Sequence, residues 1–212
     1  MDISLRLEQP NDYRIVEELT WEAFWNIYVP GCLEHYLVHQ MRTHPDFLAD
    51  LDYVAELGNK IVGNIMYTRS YLESESGERL QITTFGPISV LPGYQRKGIG
   101  SLLIQKTKEI VKEKGYPAIV IMGDPANYVK HGFVSSKKYQ IGIEAGKYPS
   151  CLLVLAFDEK KLANKGWTYK DSPIYDVNEN EVEEFDKTFE KKEKGYQPSQ
   201  EEFWIFSQSF IQ

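Results

Sequence analysis

The chain has 212 residues, of which 42% are hydrophobic, so it can form one large globular domain with or without an appendage. Its formal net charge of −7 disfavours a nucleic-acid partner and mildly favours a cationic ligand. No stretch approaches the roughly 18 apolar residues needed to cross a bilayer, and the first residues are too polar for a secretory signal, which predicts a cytoplasmic protein without a membrane partner.

The first predicted elements are one strand and two helices. Apolar residues alternate with polar ones over residues 3–7, which predicts a half-exposed strand. Helical periodicity then predicts a helix over residues 13–25 and a second one over residues 33–43, which ends before Pro45.

Residues 51–90 predict three consecutive strands, with turns at Gly58 and Gly77. Gly86 and Pro87 fall inside the third strand. Because proline cannot donate to a sheet ladder, the pairing should break there and the strand should bend or bulge. The alternative is a strand that ends early.

A glycine-containing loop joins this third strand to a helix. Apolar residues recur at helical spacing from Ile99, so the helix begins inside the loop that holds Gly98 and Gly100, and Gly115 is suited to end it. The first N–H groups of a helix are unpaired and carry the positive end of its macrodipole. The loop therefore predicts a site for a phosphate or pyrophosphate group.

Other ligands of this loop have less support. Arg96 and Lys97 add positive charge, but Leu103 stands where a Rossmann loop requires its third glycine, and the Gly-Lys-Ser/Thr of a Walker loop is absent. The two cysteines, Cys32 and Cys151, lie far apart and outside any ligand motif, which predicts reduced thiols and no metal site. The remaining alternative is that the glycines only permit close packing.

The residues after this helix predict the rest of the core. The continuous apolar run at 118–122 fits a strand that is buried on both faces and parallel to its neighbour. A short helix over 126–131, an extended segment from Phe133 and a second buried strand over 151–157 follow.

Residues 159–212 have a different composition. They carry more acidic than basic residues, and residues 181–195 predict a charged, exposed helix. They also contain more large aromatic residues than a free tail would carry, namely Trp167, Tyr169, Tyr175, Trp204, Phe206 and Phe210. We expect this C-terminal extension to pack on the core domain, residues 1–158, or on a second subunit.

Two motifs resemble those of the GNAT superfamily of acyl-CoA-dependent N-acetyltransferases. The sequence QRKGIG from Gln95 matches the Q/R-x-x-G-x-G/A signature, and GDPANYVKHGF from Gly123 resembles the fourth helix of the family, which ends in Tyr-x-x-x-Gly-Phe. Asn127 and His131 depart from that pattern, because aromatic residues are frequent there. Over residues 1–158 the resemblance implies an α/β (α+β) fold, with a mixed central sheet of six to seven strands that is splayed between strands 4 and 5 and has helices on both faces.

The resemblance also implies acetyl-CoA as the co-substrate, with its pantetheine arm between the splayed strands. The residues expected to bind it are Ile88, Ser89, Val90, Arg96, Lys97, Gly98, Ile99, Gly100, Ser101 and Asn127. The backbone N–H of Val90 is expected to donate to the thioester oxygen. Tyr128, a phenol with an ordinary pKa of about 10, is expected to act as the general acid toward the leaving thiolate. The competing interpretation of Tyr128 is an ordinary core or surface tyrosine.

An alkyl amine must lose a proton before it attacks, and the sequence does not identify the base. Residues 81–90 hold no carboxylate of the kind that some family members use, which leaves Glu34, His35 and Glu56 as candidates. The first two helices carry several aromatic residues that are suited either to an acceptor pocket or to plain core packing. The expected substrate contacts are Trp25, Tyr28 and His35.

We therefore predict an N-acetyltransferase that transfers an acetyl group to a primary amine of a small molecule by direct attack in a ternary complex. The alternatives are a non-catalytic acyl-CoA-binding regulatory module, an acetyltransferase that acts on a protein amine, and a fold whose glycine loop serves packing alone. We also expect that the chain can form a homodimer.

Overall fold

A mixed β-sheet runs through the computed structural model, which describes residues 2–144, 146–163 and 165–212. The strands of the described residues are β1 (Ile3–Leu7), β2 (Tyr53–Leu57), β3 (Lys60–Ser74), β4 (Arg79–Val90), β5 (Ala118–Met122), β6 (Val134–Ser135), β7 (Ile141–Gly142), β8 (Leu152–Ala156) and β9 (Trp167–Lys170). The α-helices are α1 (Tyr13–Phe24), α2 (Glu34–Met41), α3 (Ile99–Glu113), α4 (Pro125–Tyr128), α5 (Glu159–Leu162), α6 (Glu179–Asp186) and α7 (Pro198–Ser207). None of these helices combines the length and the apolar composition that crossing a membrane requires.

The strands follow the order β1-β2-β3-β4-β5-β8-β6, and β9 pairs with both β3 and β7. The β4–β5 and β7–β9 pairs are parallel, and the other pairs are antiparallel. This arrangement confirms the predicted mixed sheet.

Helices cover both faces of the sheet, as predicted. Neighbouring residues of β2 show this, because Val54 packs against α1 whereas Ala55 joins the cluster that contains α3. In β3, Met66 packs against α2, whereas Tyr67 packs on the α3 side and its hydroxyl lies 2.8 Å from Thr107 Oγ1. The alternation of side chains along a strand thus assigns α1 and α2 to one face and α3 to the other.

The sheet opens between β4 and β5. These two strands share one register pair, Thr83 with Ile119, so the remainder of β4 runs away from β5. The β3–β4 register shifts opposite Gly86 and Pro87, where the sequence predicts a break in the ladder. The predicted break in the ladder is thus confirmed. The separate gap between β4 and β5 holds the site described below.

The C-terminal extension packs on the core of its own chain. Strand β9 pairs with β3. Tyr71 lies opposite Lys170 at one end of this pairing, and Ser74 lies opposite Trp167 at the other. The helix expected over 181–195 is instead the shorter α6, Glu179–Asp186, and Phe189 beyond its end packs against Trp21 and His35. The domain boundary at residue 158 stays a prediction.

We expect the docking of α6 to contribute to the stability of the whole chain. Val182 of α6 is 2% exposed, and Val182→Ala should lower the free energy of unfolding by about 2 kcal/mol, because two buried methyl groups leave a cavity. The matched change Val129→Ala, at a residue that is 56% exposed, should stay within about 0.5 kcal/mol of the parent. Urea denaturation measures both, and equal effects of the two changes would show that α6 is not stably docked.

Candidate active site

A cleft of about 790 Å³ lies where β4 and β5 diverge. Its walls come from the end of α1, the start of α2, β4, the loop before α3, the β5–α4 segment and the chain after β9. The predicted site residues that line it are Tyr28, Ile88, Val90, Arg96, Gly98, Ile99, Gly100, Ser101, Asn127 and Tyr128. One cleft thus joins the phosphate loop to the first two helices.

The phosphate loop ends in a helix start with unpaired N–H groups. The first hydrogen bond of α3 runs from the Leu102 N–H to the Gly98 carbonyl at 3.0 Å. The N–H groups of Ile99, Gly100 and Ser101 therefore have no partner within the helix. Gly98 has a φ of 90°, and a Cβ built there would meet no atom within 4 Å, so the backbone angle rather than crowding favours glycine.

Polar side chains surround this helix start. Ser101 Oγ lies 3.4 Å from Nε2 of His131, and Arg96 lines the cleft with no ion-pair partner among the described residues. Partial burial, Lys130 and Lys108 lower the pKa of His131, so its imidazole is neutral at pH 7.

Two other predicted cofactor contacts lie outside the lining of the cleft. Lys97 donates to the carbonyl of Gly93 at 2.6 Å. Ser89 is buried, and its hydroxyl lies 3.0 Å from Thr20 Oγ1. These side chains stabilise the loop and the α1–β4 contact, respectively.

The end of β4 presents backbone groups to the gap. Leu91 donates its N–H to the carbonyl of Val62 in the chain of β3 at 3.1 Å. Because backbone groups alternate in direction along a strand, the N–H of Val90 points away from β3, toward the gap. Gln95 donates its side-chain amide to the Val90 carbonyl at 3.0 Å and so holds the next peptide group of the strand, on the same side as this N–H.

Tyr128 stands on the other wall of the cleft. Its ring packs with Phe85 and Phe133 at centroid distances of 5.7 and 5.9 Å. A Cβ at Gly123 would lie 2.5 Å from the ring, so glycine leaves the space that the ring needs. Burial, and then Tyr28 and Asp124, raise the pKa of the Tyr128 phenol, which keeps it protonated at neutral pH.

The opposite end of the cleft is aromatic and acidic. Phe24, Tyr28 and Glu34 line it, with the rings of Phe24 and Tyr28 at 5.7 Å. Phe203 of α7 packs on the outer side of Tyr28 at 4.7 Å.

The C-terminal extension supplies side chains that the sequence reasoning missed. Tyr169, Asp171 and Tyr175 line the cleft, and Tyr175 donates its hydroxyl to the Gly86 carbonyl at 3.3 Å. No local motif marks these residues, because the β3–β9 pairing brings them to the site. The one feature of the sequence that could have indicated a contribution to the site is the mixture of aromatic and acidic residues at 169–175.

Trp25 and His35 do not reach the cleft. Trp25 Nε1 donates to the Glu193 carbonyl at 3.1 Å, and His35 is fully buried, with its Nε2 3.0 Å from Asp186 Oδ1. Burial lowers the pKa of His35 to about 4, against the raising effect of Asp186. Both residues fasten the C-terminal extension, and of the three expected substrate contacts only Tyr28 lies in the cleft.

The sequence of residues 21–134, more than half of the chain, matches the acetyltransferase (GNAT) family model. The chain belongs to the GNAT family. Together with the splayed β4–β5 pair and the glycine loop, this membership confirms the resemblance drawn from the two motifs. Among the described residues, no group of three or more His, Cys, Asp or Glu side chains is placed to hold a metal ion.

Two curated relatives of this chain come from Escherichia coli strain K12. The uncharacterized N-acetyltransferase YjhQ is 31% identical over 83 residues, which cover 39% of this chain and 45% of YjhQ. The uncharacterized N-acetyltransferase YhbS is 28% identical over 130 residues, which cover 61% of this chain and 72% of YhbS. The chain therefore spans less than half of the first relative and most of the second.

Solved GNAT structures share the fold. The structure of Escherichia coli YhbS in complex with CoA has a TM-score of 0.69 at 22% identity and covers 82% of this chain and 92% of that one. A GNAT acetyltransferase from Brucella melitensis in complex with acetyl-CoA has a TM-score of 0.64 at 22% identity, over 82% of this chain and 97% of that one. The likeness thus extends beyond the residues that match the GNAT family model.

Proposed function

We propose that this chain is an N-acetyltransferase that transfers an acetyl group from acetyl-CoA to a primary amine of a small molecule. The observation that carries the proposal is the single cleft that joins the phosphate loop, the Val90 peptide, Tyr128 and the aromatic and acidic end. The bound CoA and acetyl-CoA of the two structural relatives support the choice of cofactor.

The residues of the cleft fit this co-substrate. The unpaired N–H groups at the start of α3 and the Arg96 side chain suit a pyrophosphate. Ile88 and Val90 line the gap through which the pantetheine arm would pass, and Asn127 lines the wall beside Tyr128. The cleft volume of about 790 Å³ lies within the range of roughly 300–1,000 Å³ that is typical of ligand pockets.

Two groups of this chain then act on the reaction. The N–H of Val90 donates to the thioester oxygen as that atom gains negative charge, which stabilises the transition state. Tyr128 donates its proton to the sulfur as the carbon–sulfur bond breaks, so a thiol leaves rather than a thiolate. Direct attack by the amine requires no nucleophile from the protein.

The walls of the acceptor end favour a small molecule over a protein amine. Tyr175 and Asp171 of the C-terminal extension line this end, and Phe203 backs Tyr28 from outside. We infer from these added wall residues that the acceptor is a small amine. The alternative of a regulatory acyl-CoA-binding module stays open because β4 carries no carboxylate at residues 81–90.

Turnover measurements separate these functions. We expect acetyl-CoA to bind with saturable heat in calorimetry, to raise the melting temperature, and to be consumed with sustained thiol release when small primary amines are added. Binding without thiol release across a broad amine panel would favour the regulatory module. Absence of both binding and stabilisation at millimolar acetyl-CoA would leave the glycine loop with a packing role alone.

The homodimer and the cytoplasmic location stay predictions. Trp204 and Ile205 of α7 are 63% and 59% exposed, which gives the C-terminal extension an apolar surface. Light scattering coupled to gel filtration measures the oligomeric state.

A further inference from the structure

We propose that Glu34 binds the ammonium form of the acceptor and takes its proton, so that the enzyme selects alkyl amines that are cationic at neutral pH. The inference deepens the proposed function and rests on it. It assigns the base that β4 does not supply, and it places that base on α2.

Glu34 lies at the acceptor end of the cleft. It is the first residue of α2, and its half-buried side chain lines the cleft together with Tyr28 of the preceding loop. Tyr128 lines the same cleft, on the wall beside the gap between β4 and β5 where the thioester would lie. An amine held by Glu34 therefore shares one continuous space with the general acid.

One oxygen of this carboxylate is already held by the protein and the other is not. Oε2 accepts the Leu33 N–H at 3.1 Å and the Cys32 thiol at 3.4 Å. Among the described residues, Oε1 has no hydrogen-bond partner, and no Lys, Arg or His forms an ion pair with Glu34. A half-buried carboxylate without a cation favours a cationic ligand.

The other two candidates for the base are engaged elsewhere. Glu56 is bound to Arg6 at 2.6 Å and does not line the cleft. His35 is fully buried against Asp186 and the aromatic residues of α6 and of the chain after it.

The other acidic and imidazole groups of the cleft are less suited to this role. Asp124 caps α4 by accepting the Ala126 N–H at 2.9 Å. His131 lies beside Ser101 at the phosphate end. Partial burial raises the pKa of the Asp171 carboxyl, but the side chain is still exposed, so water competes with any cation that it holds.

The surroundings of Glu34 suit an ammonium group. Phe24 and Tyr28 line the same cleft, and the face of an aromatic ring attracts a cation. The titratable and charged groups that contact Glu34 or line the cleft with it are Tyr28, Cys32, Tyr94, Arg96, Asp124, Tyr128, Lys130, His131, Tyr169, Asp171 and Tyr175. The two cationic side chains in this set, Arg96 and Lys130, belong to the phosphate loop and to the segment after α4.

The protonation behaviour of Glu34 agrees with this role. Burial raises the pKa of its carboxyl, against the lowering effect of backbone N–H groups and of the Cys32 thiol. A raised carboxyl pKa narrows the gap to that of an ammonium group, so the proton transfer is less unfavourable than it would be to an exposed glutamate.

Glu34 and Tyr128 together move the protons of the reaction. The ammonium gives one proton to Oε1 of Glu34, and the free amine forms a bond from nitrogen to the acetyl carbon. The carbon–sulfur bond then breaks, the sulfur takes the Tyr128 proton, and the nitrogen returns its second proton to the Tyr128 oxygen. Glu34 releases its proton to water, so each turnover yields one amide, one thiol and one proton.

The test compares two acceptors with the variant Glu34→Gln, whose side-chain carbonyl can still accept the Leu33 N–H. For an alkyl amine at pH 7, kcat/KM should fall about 100-fold, and its rise with pH should move up toward the pKa of the free amine. For an aromatic amine, which is already unprotonated at pH 7, kcat/KM should fall less than about 5-fold. A purely structural role of Glu34 predicts equal losses for both acceptors.

A binding measurement and two further variants complete the test. Calorimetry on the CoA complex should show that Glu34→Gln weakens binding of the alkyl ammonium by about 10-fold and leaves CoA binding unchanged. Glu34→Asp should keep the pH dependence of the parent. Glu18→Gln, which removes a charge from the exposed Arg14–Glu18 pair of α1, should match the parent in every measurement.

Two outcomes overturn the inference in distinguishable ways. Turnover by the parent together with an unchanged pH profile in Glu34→Gln would reject Glu34 and leave the acetyltransferase intact. No thiol release by the parent with any amine would reject the proposed function, and the role of Glu34 with it.

Discussion

Tyr128→Phe should lower kcat for acetyl transfer about 1,000-fold, because a general acid contributes about 10²–10⁴ to the rate. The ring contacts with Phe85, Phe133 and the space at Gly123 do not involve the hydroxyl. The Kd for CoA should therefore stay within about 2-fold of the parent value. Stopped-flow detection of the released thiol measures the first quantity and calorimetry the second.

The protonation of Tyr128 predicts how kcat depends on pH. The pKa of Tyr128 is raised, so the phenol holds its proton above the ordinary tyrosine value of about 10, and its loss should not limit kcat between pH 7 and about 10. Tyr139→Phe is the control, because this tyrosine donates to Glu159 outside the cleft and should turn over like the parent. Parent-like turnover by Tyr128→Phe across this range would remove Tyr128 from the mechanism.

Ser101→Asp should raise the Kd for acetyl-CoA by about 100-fold or more, while the fold becomes no less stable. A carboxylate in the first turn of α3 interacts favourably with the helix dipole by about 0.3–1 kcal/mol. The same charge about 5 Å from a phosphate repels it by about 3 kcal/mol at an effective dielectric constant of about 20. Stability and cofactor affinity should therefore change in opposite directions.

Calorimetry and thermal denaturation measure the two effects. Ser101→Ala removes the 3.4 Å contact with His131 without adding charge, and its Kd should stay within about 3-fold of the parent. High salt should restore part of the affinity of Ser101→Asp, because it screens the repulsion. Unchanged affinity in Ser101→Asp would mean that the phosphates bind elsewhere.

The parts of the fold that local sequence determines could be predicted. The start of α3 at Ile99 follows from apolar residues that recur at helical spacing from that position, and the β3–β4 register shift follows from a proline that cannot donate to a ladder. The placement of Tyr128 in the cleft agrees with the motif that named it, because Gly123 and the α4 cap lie within the same short segment.

Tertiary pairing decides the parts that could not be predicted. Asp171 and Tyr175 reach the cleft through the β3–β9 pairing, which joins residues about 100 positions apart. The sequence puts Trp25 and Tyr28 close together after the first helix but does not say which of them reaches the cleft. The contact of Trp25 with Glu193 decides that question, and no pattern near Trp25 reports it.

Strand β9 pairs with residues 71–74 of β3, whereas the end of β4 that leads into the glycine loop pairs near the other end of β3. The chain that leaves β9 lines the cleft through Asp171 and Tyr175. Under the proposed function, the amine meets Tyr28, Glu34 and the segment after β9, whereas the thioester lies between β4 and Tyr128, so the two tasks fall to separate stretches of the polypeptide. Under the proposed function, exchanges at the exposed Asp171 should therefore change the preferred acceptor while cofactor binding stays intact, which gives this architecture a route to new acceptors that preserves its chemistry.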